Sequence, residues 1–283
     1  MNSEFTAKIS RAHIAGLASG AEHEKPILFL HGWLDNAASF LPLMPWLPKY
    51  YIVAIDWPGH GHSSHRGEDA HYHFLDYVYD LVLLFEQQGW GKVDIVGHSM
   101  GGMIAQAFAA SFPENVASLT LIDAIGFITE EPDNTSQQLR NGLLSRFKSR
   151  HKSKSVHPTI ESAINARIAV SDLNVECASL IVNRGLKKLE KGYTWQADSK
   201  LRNTSPYRLT QAQATNLVNN IDCPVQLIYG DKGLDFVARA INIFKPYFKK
   251  LTIYQLSGGH HVHMELPKKT ASLIDEFIKK PMN

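Results

Sequence analysis

Short, almost uninterrupted apolar runs recur along the first half of the chain and again near its end, at residues 27–30, 51–55, 93–96, 119–122, 225–229 and 251–256. A run without polar alternation predicts a strand covered on both faces, the environment of a parallel sheet. Between the runs, apolar residues return at helical spacing over about 71–88, 100–112, 237–247 and 267–279. Strand and helix therefore alternate, which predicts an α/β fold: an open, mostly parallel sheet with helices on both faces. Residues 4–18 carry a weaker signal for a leading hairpin, which brings the expected sheet to eight strands.

One interval breaks the rhythm. About 100 residues separate the run at 119–122 from the run at 225–229, and they hold no convincing buried strand. A structureless loop of that length inside a compact domain is implausible. The stretch is helical in pattern and rich in charge, so residues 127–216 are expected to form an inserted helical cap. Residues 1–126 and 217–283 are then the two parts of the core.

Charge sharpens this division. The chain has 29 Lys and Arg against 27 Asp and Glu, a net of +2. Residues 1–126 hold 6 bases and 13 acids, whereas residues 127–216 hold 14 bases and 8 acids. Opposite signs are expected to help seat the cap on the core. The N-terminus lacks a basic start followed by an apolar run, and no apolar run is long enough to span a bilayer. Cys177 and Cys223 are far apart and lack metal-ligand spacing, so both are expected as buried thiols in a reducing, cytoplasmic compartment.

The most specific local signal is Gly97-His98-Ser99-Met100-Gly101, placed after one apolar run and before a helical pattern. Gly-x-Ser-x-Gly in that context predicts a sharp turn that thrusts the Ser99 hydroxyl out above the sheet. A serine needs a base, and among 14 histidines His260 stands out. It follows Gly258-Gly259 on the loop leaving the last strand. His261 is its nearest rival, and His263 is expected at the start of the following helix. An oxyanion needs two backbone donors. Met100 N–H is one expectation, and Trp33 N–H, in the His31-Gly32-Trp33 loop after the strand at 27–30, is the other.

His31-Gly32-Trp33, Asp56-Trp57-Pro58-Gly59-His60-Gly61-His62-Ser63, the Ser99 motif and Gly259-His260 stand in an order that resembles the α/β-hydrolase superfamily along nearly the whole chain. The segment Gly192-Tyr193-Thr194-Trp195-Gln196-Ala197-Asp198 with Ser205-Pro206 looks like its serine hydrolase-like branch. The resemblance implies a nucleophile, an acid and a histidine in that order. It also implies an acid as Gly-x-x-Asp after the penultimate strand, but Gly230-Asp231-Lys232-Gly233 places Gly233 there. Asp123, at the end of the preceding strand, is the favoured replacement, because ligand sites of open α/β sheets gather at strand C-termini. Asp231 and Asp235 flank the vacant position and stay open.

The reading at this stage is a capped serine hydrolase acting on a small or medium acyl ester, with no cofactor and no metal, as a monomer or homodimer. A C–C bond hydrolase or lactonase of the same fold would share every motif. A non-catalytic ligand-binding protein on the same scaffold is the rival from another class, supported by the vacancy at Gly233. His60, His62, His65, His71 and His73 crowd together without completing a metal-ligand spacing. Arg146, Lys148, Arg150, Lys152 and Lys154 alternate with other residues, which fits neither a helix face nor a nucleic-acid reader. They predict an exposed segment, or a weak contact with an anionic surface such as lipid headgroups. Trp33, Trp57, Phe127, Trp195 and Tyr207 are candidates to line the site.

Overall fold

A computed structural model describes residues 2–10, 12–22, 25–150 and 153–280. Lys152, one of the alternating bases, lies outside them. In chain order the strands are β1 (Ser3–Ile9), β2 (Ala12–Ser19), β3 (Ile27–Leu30), β4 (Ile52–Ile55), β5 (Val93–His98), β6 (Val116–Ile122), β7 (Val156–His157), β8 (Leu186–Lys188), β9 (Tyr193–Trp195), β10 (Val225–Gly230) and β11 (Leu251–Leu256). The helices are α1 (Asp76–Gln88), α2 (Met100–Ser111), α3 (Thr135–Ser149), α4 (Ile160–Ile168), α5 (Val175–Gly185), α6 (Gln211–Asn219), α7 (Asp235–Phe244), α8 (Val262–Glu265) and α9 (Pro267–Lys279).

Eight strands form one sheet in the order β1-β2-β4-β3-β5-β6-β10-β11. The β1–β2 and β2–β4 pairs are antiparallel, and every later pair is parallel. The central strands are mostly apolar because both faces are covered. One face packs Leu28, Leu30, Val53 and Ile95 beneath α1, α2, α6 and α7. The other packs Phe29, Ile52, Ala54 and Val96 beneath residues 37–47 and α9. Parallel pairing brings the C-terminal ends of β3, β5, β6, β10 and β11 to one edge, where crevices form in such sheets.

The segment between β6 and β10 departs from the helical expectation. It contains α3, α4 and α5, but also a three-stranded antiparallel sheet in the order β7-β9-β8. Strands of two or three residues are too short to leave a periodic signature, and their partly exposed positions give no apolar run. The expected boundary at 216/217 falls inside α6, whose Ala214 and Val218 belong to the main core. Glu130 N–H donates to Leu209 C=O beside a Thr129–Leu209 bridge, which pinches the base of the insert. Among the described residues no helix is long and apolar enough to cross a membrane.

Candidate active site

Two neighbouring strands end in the same way. Ser99 N–H continues the ladder to Ile122 C=O at 3.0 Å, and Asp123 N–H continues it to Ile228 C=O at 2.8 Å. Each residue then turns into the left-handed region, Ser99 at φ 50° and Asp123 at φ 45°. Non-glycine residues rarely adopt that conformation, and it persists only where the surroundings over-determine it. At Ser99 the surroundings are backbone packed too closely for side chains. A Cβ on Gly97 would lie 2.6 Å from the Gly102 α-carbon, and one on Gly101 would lie 2.1 Å from Leu30 C=O. These contacts give the physical reason for the two glycines of the motif.

His260 arrives from the other side of the edge, on the loop after β11. Asp231 accepts from Gly258 N–H at 3.1 Å, and His98 Nε2–H donates to His260 C=O at 3.0 Å. The His260 ring then lies between the two strand-end residues, with Nδ1 2.5 Å from Asp123 Oδ2 and Nε2 3.0 Å from Ser99 Oγ. A carboxylate only accepts, so the proton sits on Nδ1, and Nε2 accepts from the serine hydroxyl. Asp123 is buried and its other oxygen accepts from Gly230 N–H at 3.2 Å. Asp231 is spent on its loop, and Asp235 is exposed in the first turn of α7. Neither touches His260.

Gly233 explains the displaced acid. A Cβ there would lie 2.8 Å from both Asp123 carboxylate oxygens. One volume beside His260 Nδ1 is available to a carboxyl group, and Asp123 reaches it from β6. The position left vacant in the sequence is therefore filled in space.

The His31–Asp35 loop closes on Ser99 from the β3 side. A Cβ on Gly32 would lie 3.1 Å from Ser99 Cβ. Two buried histidines fix this loop. His31 Nδ1–H donates to Gly32 C=O at 2.7 Å while Nε2 accepts from Trp57 N–H at 3.0 Å. His60 Nδ1–H donates to Pro58 C=O at 3.3 Å while Nε2 accepts from Leu34 N–H at 3.2 Å. Each ring uses one donor and one acceptor, so each is neutral. Burial first of all pushes His31 down to about 4 and His60 down to about 3. Trp33 is half-exposed and its indole N–H donates to Leu201 C=O. Met100 opens α2, where a first-turn N–H has no intrahelical acceptor.

Sequence reasoning missed a second cluster beside His260. His261 Nδ1–H meets Asp172 of the insert at 2.6 Å, and its Nε2 meets Asp35 at 3.3 Å. Arg167 of α4 meets the other oxygen of Asp35 at 2.5 Å. Although burial opposes the charge, Asp35, followed by Asp172, raises His261 to about 9. Two cations thus face two carboxylates, and two insert residues are clasped to two core residues. Asp35, His98 and His261 bring donor atoms within 4.8 Å of one another, a grouping that chain spacing conceals. The histidines crowded around His60 in the sequence are dispersed: His65 reaches Gln196, His73 reaches Arg146, and His62 is exposed.

The remaining expectations divide. Trp57 and Phe127 are buried in the main core rather than lining a site. His263 lies in α8, as its position suggested, but is fully buried. Cys177 is buried and Cys223 half-buried, and both are free.

Residues 25–267 match the family described as alpha/beta hydrolase fold. The chain belongs to this family. It is 30% identical to the serine hydrolase-like protein of Danio rerio, over 98% of this chain and 88% of that one. It is also 30% identical to serine hydrolase-like protein 2 of Homo sapiens, over 98% and 94%. A solved structure of a hypothetical protein from Pseudomonas aeruginosa is 37% identical, with a TM-score of 0.93 over 98% of this chain and 99% of that chain. This α/β hydrolase therefore sits in the serine hydrolase-like branch, and the carboxylate beside His260 comes from β6 rather than from the Gly-x-x-Asp position after β10 that the superfamily resemblance implied.

Proposed function

We propose that the protein cleaves small or medium acyl esters through an acyl-enzyme formed on Ser99. The observation that carries this reading is the continuous line from Asp123 through His260 to Ser99 Oγ, at 2.5 and 3.0 Å. As Ser99 Oγ attacks the ester carbonyl, His260 Nε2 takes its proton and Asp123 steadies the resulting imidazolium. Trp33 and Met100 N–H groups hold the tetrahedral oxyanion. His260 then gives the proton to the departing alcohol, and a water activated by the same nitrogen releases the acid. Each step uses the protein's own groups, so no cofactor is required. The geometry at Gly233 removes the feature that favoured a non-catalytic scaffold.

Turnover of p-nitrophenyl acetate, butyrate and octanoate tests this directly. The expected result is a burst of one p-nitrophenol per protein followed by steady hydrolysis, both lost in Ser99→Ala. Turnover of lactones or β-diketones with no ester hydrolysis would overturn the ester reading in favour of a lactonase or C–C bond hydrolase. Silence toward all three substrate classes from folded protein would overturn hydrolysis at Ser99.

A further inference from the structure

The alternating bases of the insert do not all face solvent. Lys148 and Lys154 join Arg167 and Arg202 in the wall of a cavity of about 570 Å³ on the insert side of the Trp33–Leu34 turn. Leu34 forms part of the wall, and the Arg202 guanidinium lies over the Trp33 ring, 6.0 Å from its centroid. The cavity thus adjoins the loop that closes on Ser99.

Its electrostatics are one-sided. Asp198 is the one carboxylate among the described lining residues. It is already spent, since one oxygen accepts from Tyr72 O–H at 2.8 Å and the other from Lys200 N–H at 3.0 Å. Arg167 gives one nitrogen to Asp35. Three buried side-chain nitrogens in the same wall have no partner: Arg167 Nε, His157 Nε2 and Asn203 Nδ2. Arginine Nε and an amide nitrogen only donate. Buried donors without acceptors are costly, and such groups in a native structure call for a partner. Serine hydroxyls at 145, 149, 153 and 155 add donors that can turn to suit it.

We propose that this cavity binds an anionic group of the substrate, a carboxylate or a phosphate, so that the preferred esters are negatively charged away from the scissile carbonyl. Either group presents several acceptor oxygens to the serine hydroxyls and a charge to Lys148 and Arg202. This rests on the reading of Ser99 as an ester-cleaving nucleophile and adds the substrate class. It also gives Lys148 and Lys154 a place in the cavity wall in place of a lipid-surface role.

The test compares matched esters that differ in charge alone. On the acyl side these are p-nitrophenyl monoadipate, its ω-methyl ester, and p-nitrophenyl hexanoate bearing a terminal phosphate. On the alcohol side they are the hexanoyl esters of 4-hydroxybenzoate and of methyl 4-hydroxybenzoate. The charged member of at least one set is expected to have a kcat/KM about 10- to 100-fold above its neutral partner, the range of a charged hydrogen bond. The carboxylate and phosphate arms show which anion fits. Lys148→Ala and Arg202→Gln should each lower the charged-to-neutral ratio, and 0.5 M salt should lower it less than for a surface contact. Neutral esters turned over with ratios near one on both sides would overturn this inference and leave the ester reading intact. If the wild-type protein cleaves none of them, the ester reading fails, and calorimetric titration of Ser99→Ala with adipate and with 6-phosphohexanoate decides the inference alone. Binding weakened by Lys148→Ala supports it, and no binding overturns it.

Discussion

Ser99, Asp123 and His260 stand above strands whose buried side chains are almost all apolar, whereas the insert meets that edge mainly through ions and polar bonds. Beneath the site, two apolar clusters fill both faces of the sheet. The insert has one small cluster of its own, built on Leu173, Cys177, Ala178 and Ile181 with Met264 of the core. Several of its other anchors are charged. Arg184 reaches Asp56 and Glu4, Arg167 reaches Asp35, and Asp172 reaches His261. Insert cations thus land on core acids, as the uneven charge distribution suggested. Apolar packing is non-directional and dense, so it supports a rigid edge over a wide area. Buried ion pairs depend on both partners and fail when one is removed. The chemistry is therefore built on the robust layer, and the surface that shapes the substrate cavity is built on the conditional one.

Removing the acid should separate the two layers most sharply. Asp123→Gly is expected to lower kcat about 10⁴-fold, the scale seen when a histidine loses its orienting carboxylate, while thermal unfolding shows the insert still docked. Adding Gly233→Asp to that variant returns a carboxyl group to the same space and should recover part of the loss. If the double variant is no better than the single one, the shared-volume account of Gly233 is wrong.

Arg184→Met attacks the ionic layer. It strands the fully buried Asp56, which also accepts from Ala37 and His62 N–H, and should cost about 3–5 kcal/mol in denaturant unfolding. A loss below 1 kcal/mol would mean that apolar contacts hold the insert after all.

Asp172→Asn is a milder version, because that carboxylate is partly exposed. A loss of about 1 kcal/mol after solvent screening is expected, together with a changed pH dependence. The folded pKa of His261 is about 9 against an ordinary 6.5, so its contribution is complete below 6.5 and is lost as pH rises through 9. Wild-type stability should fall over that window, and Asp172→Asn should flatten the fall. On the acid side the sign reverses. His31 and His98 are pushed down to about 4 by burial, so the neutral rings contribute fully above 6.5 and lose that contribution as pH falls through 4. Asp172→Asn should leave this acid limb unchanged.

The same contrast governs what was legible in the chain. The sheet was readable because doubly covered strands leave nearly continuous apolar runs and the turn at Ser99 needs glycines at fixed spacing. Helix α9 falls on the expected residues 267–279, while α1 starts later than expected, at Asp76, because His71 and His73 lie in an irregular approach. Asp123 was reachable from its place at a strand end, but its advantage over Asp231 and Asp235 lay in a contact across 137 residues. The clasp through Asp35, Arg167, Asp172 and His261 left no trace, because its members come from three separate segments and no period or motif joins them. The short strands of the insert escaped for the opposite reason, being too brief to carry a pattern.

The central claim is that Ser99 is activated by His260 under the hold of Asp123, from β6. The most direct measurement is the rate of covalent labelling of Ser99 by a fluorophosphonate in wild type, Asp123→Asn and Asp235→Asn, with the labelled peptide identified by mass. The account predicts rapid labelling of wild type, labelling slowed by orders of magnitude in Asp123→Asn, and a wild-type rate in Asp235→Asn. Labelling of Asp123→Asn at the wild-type rate, or no labelling of folded wild-type protein, would contradict it.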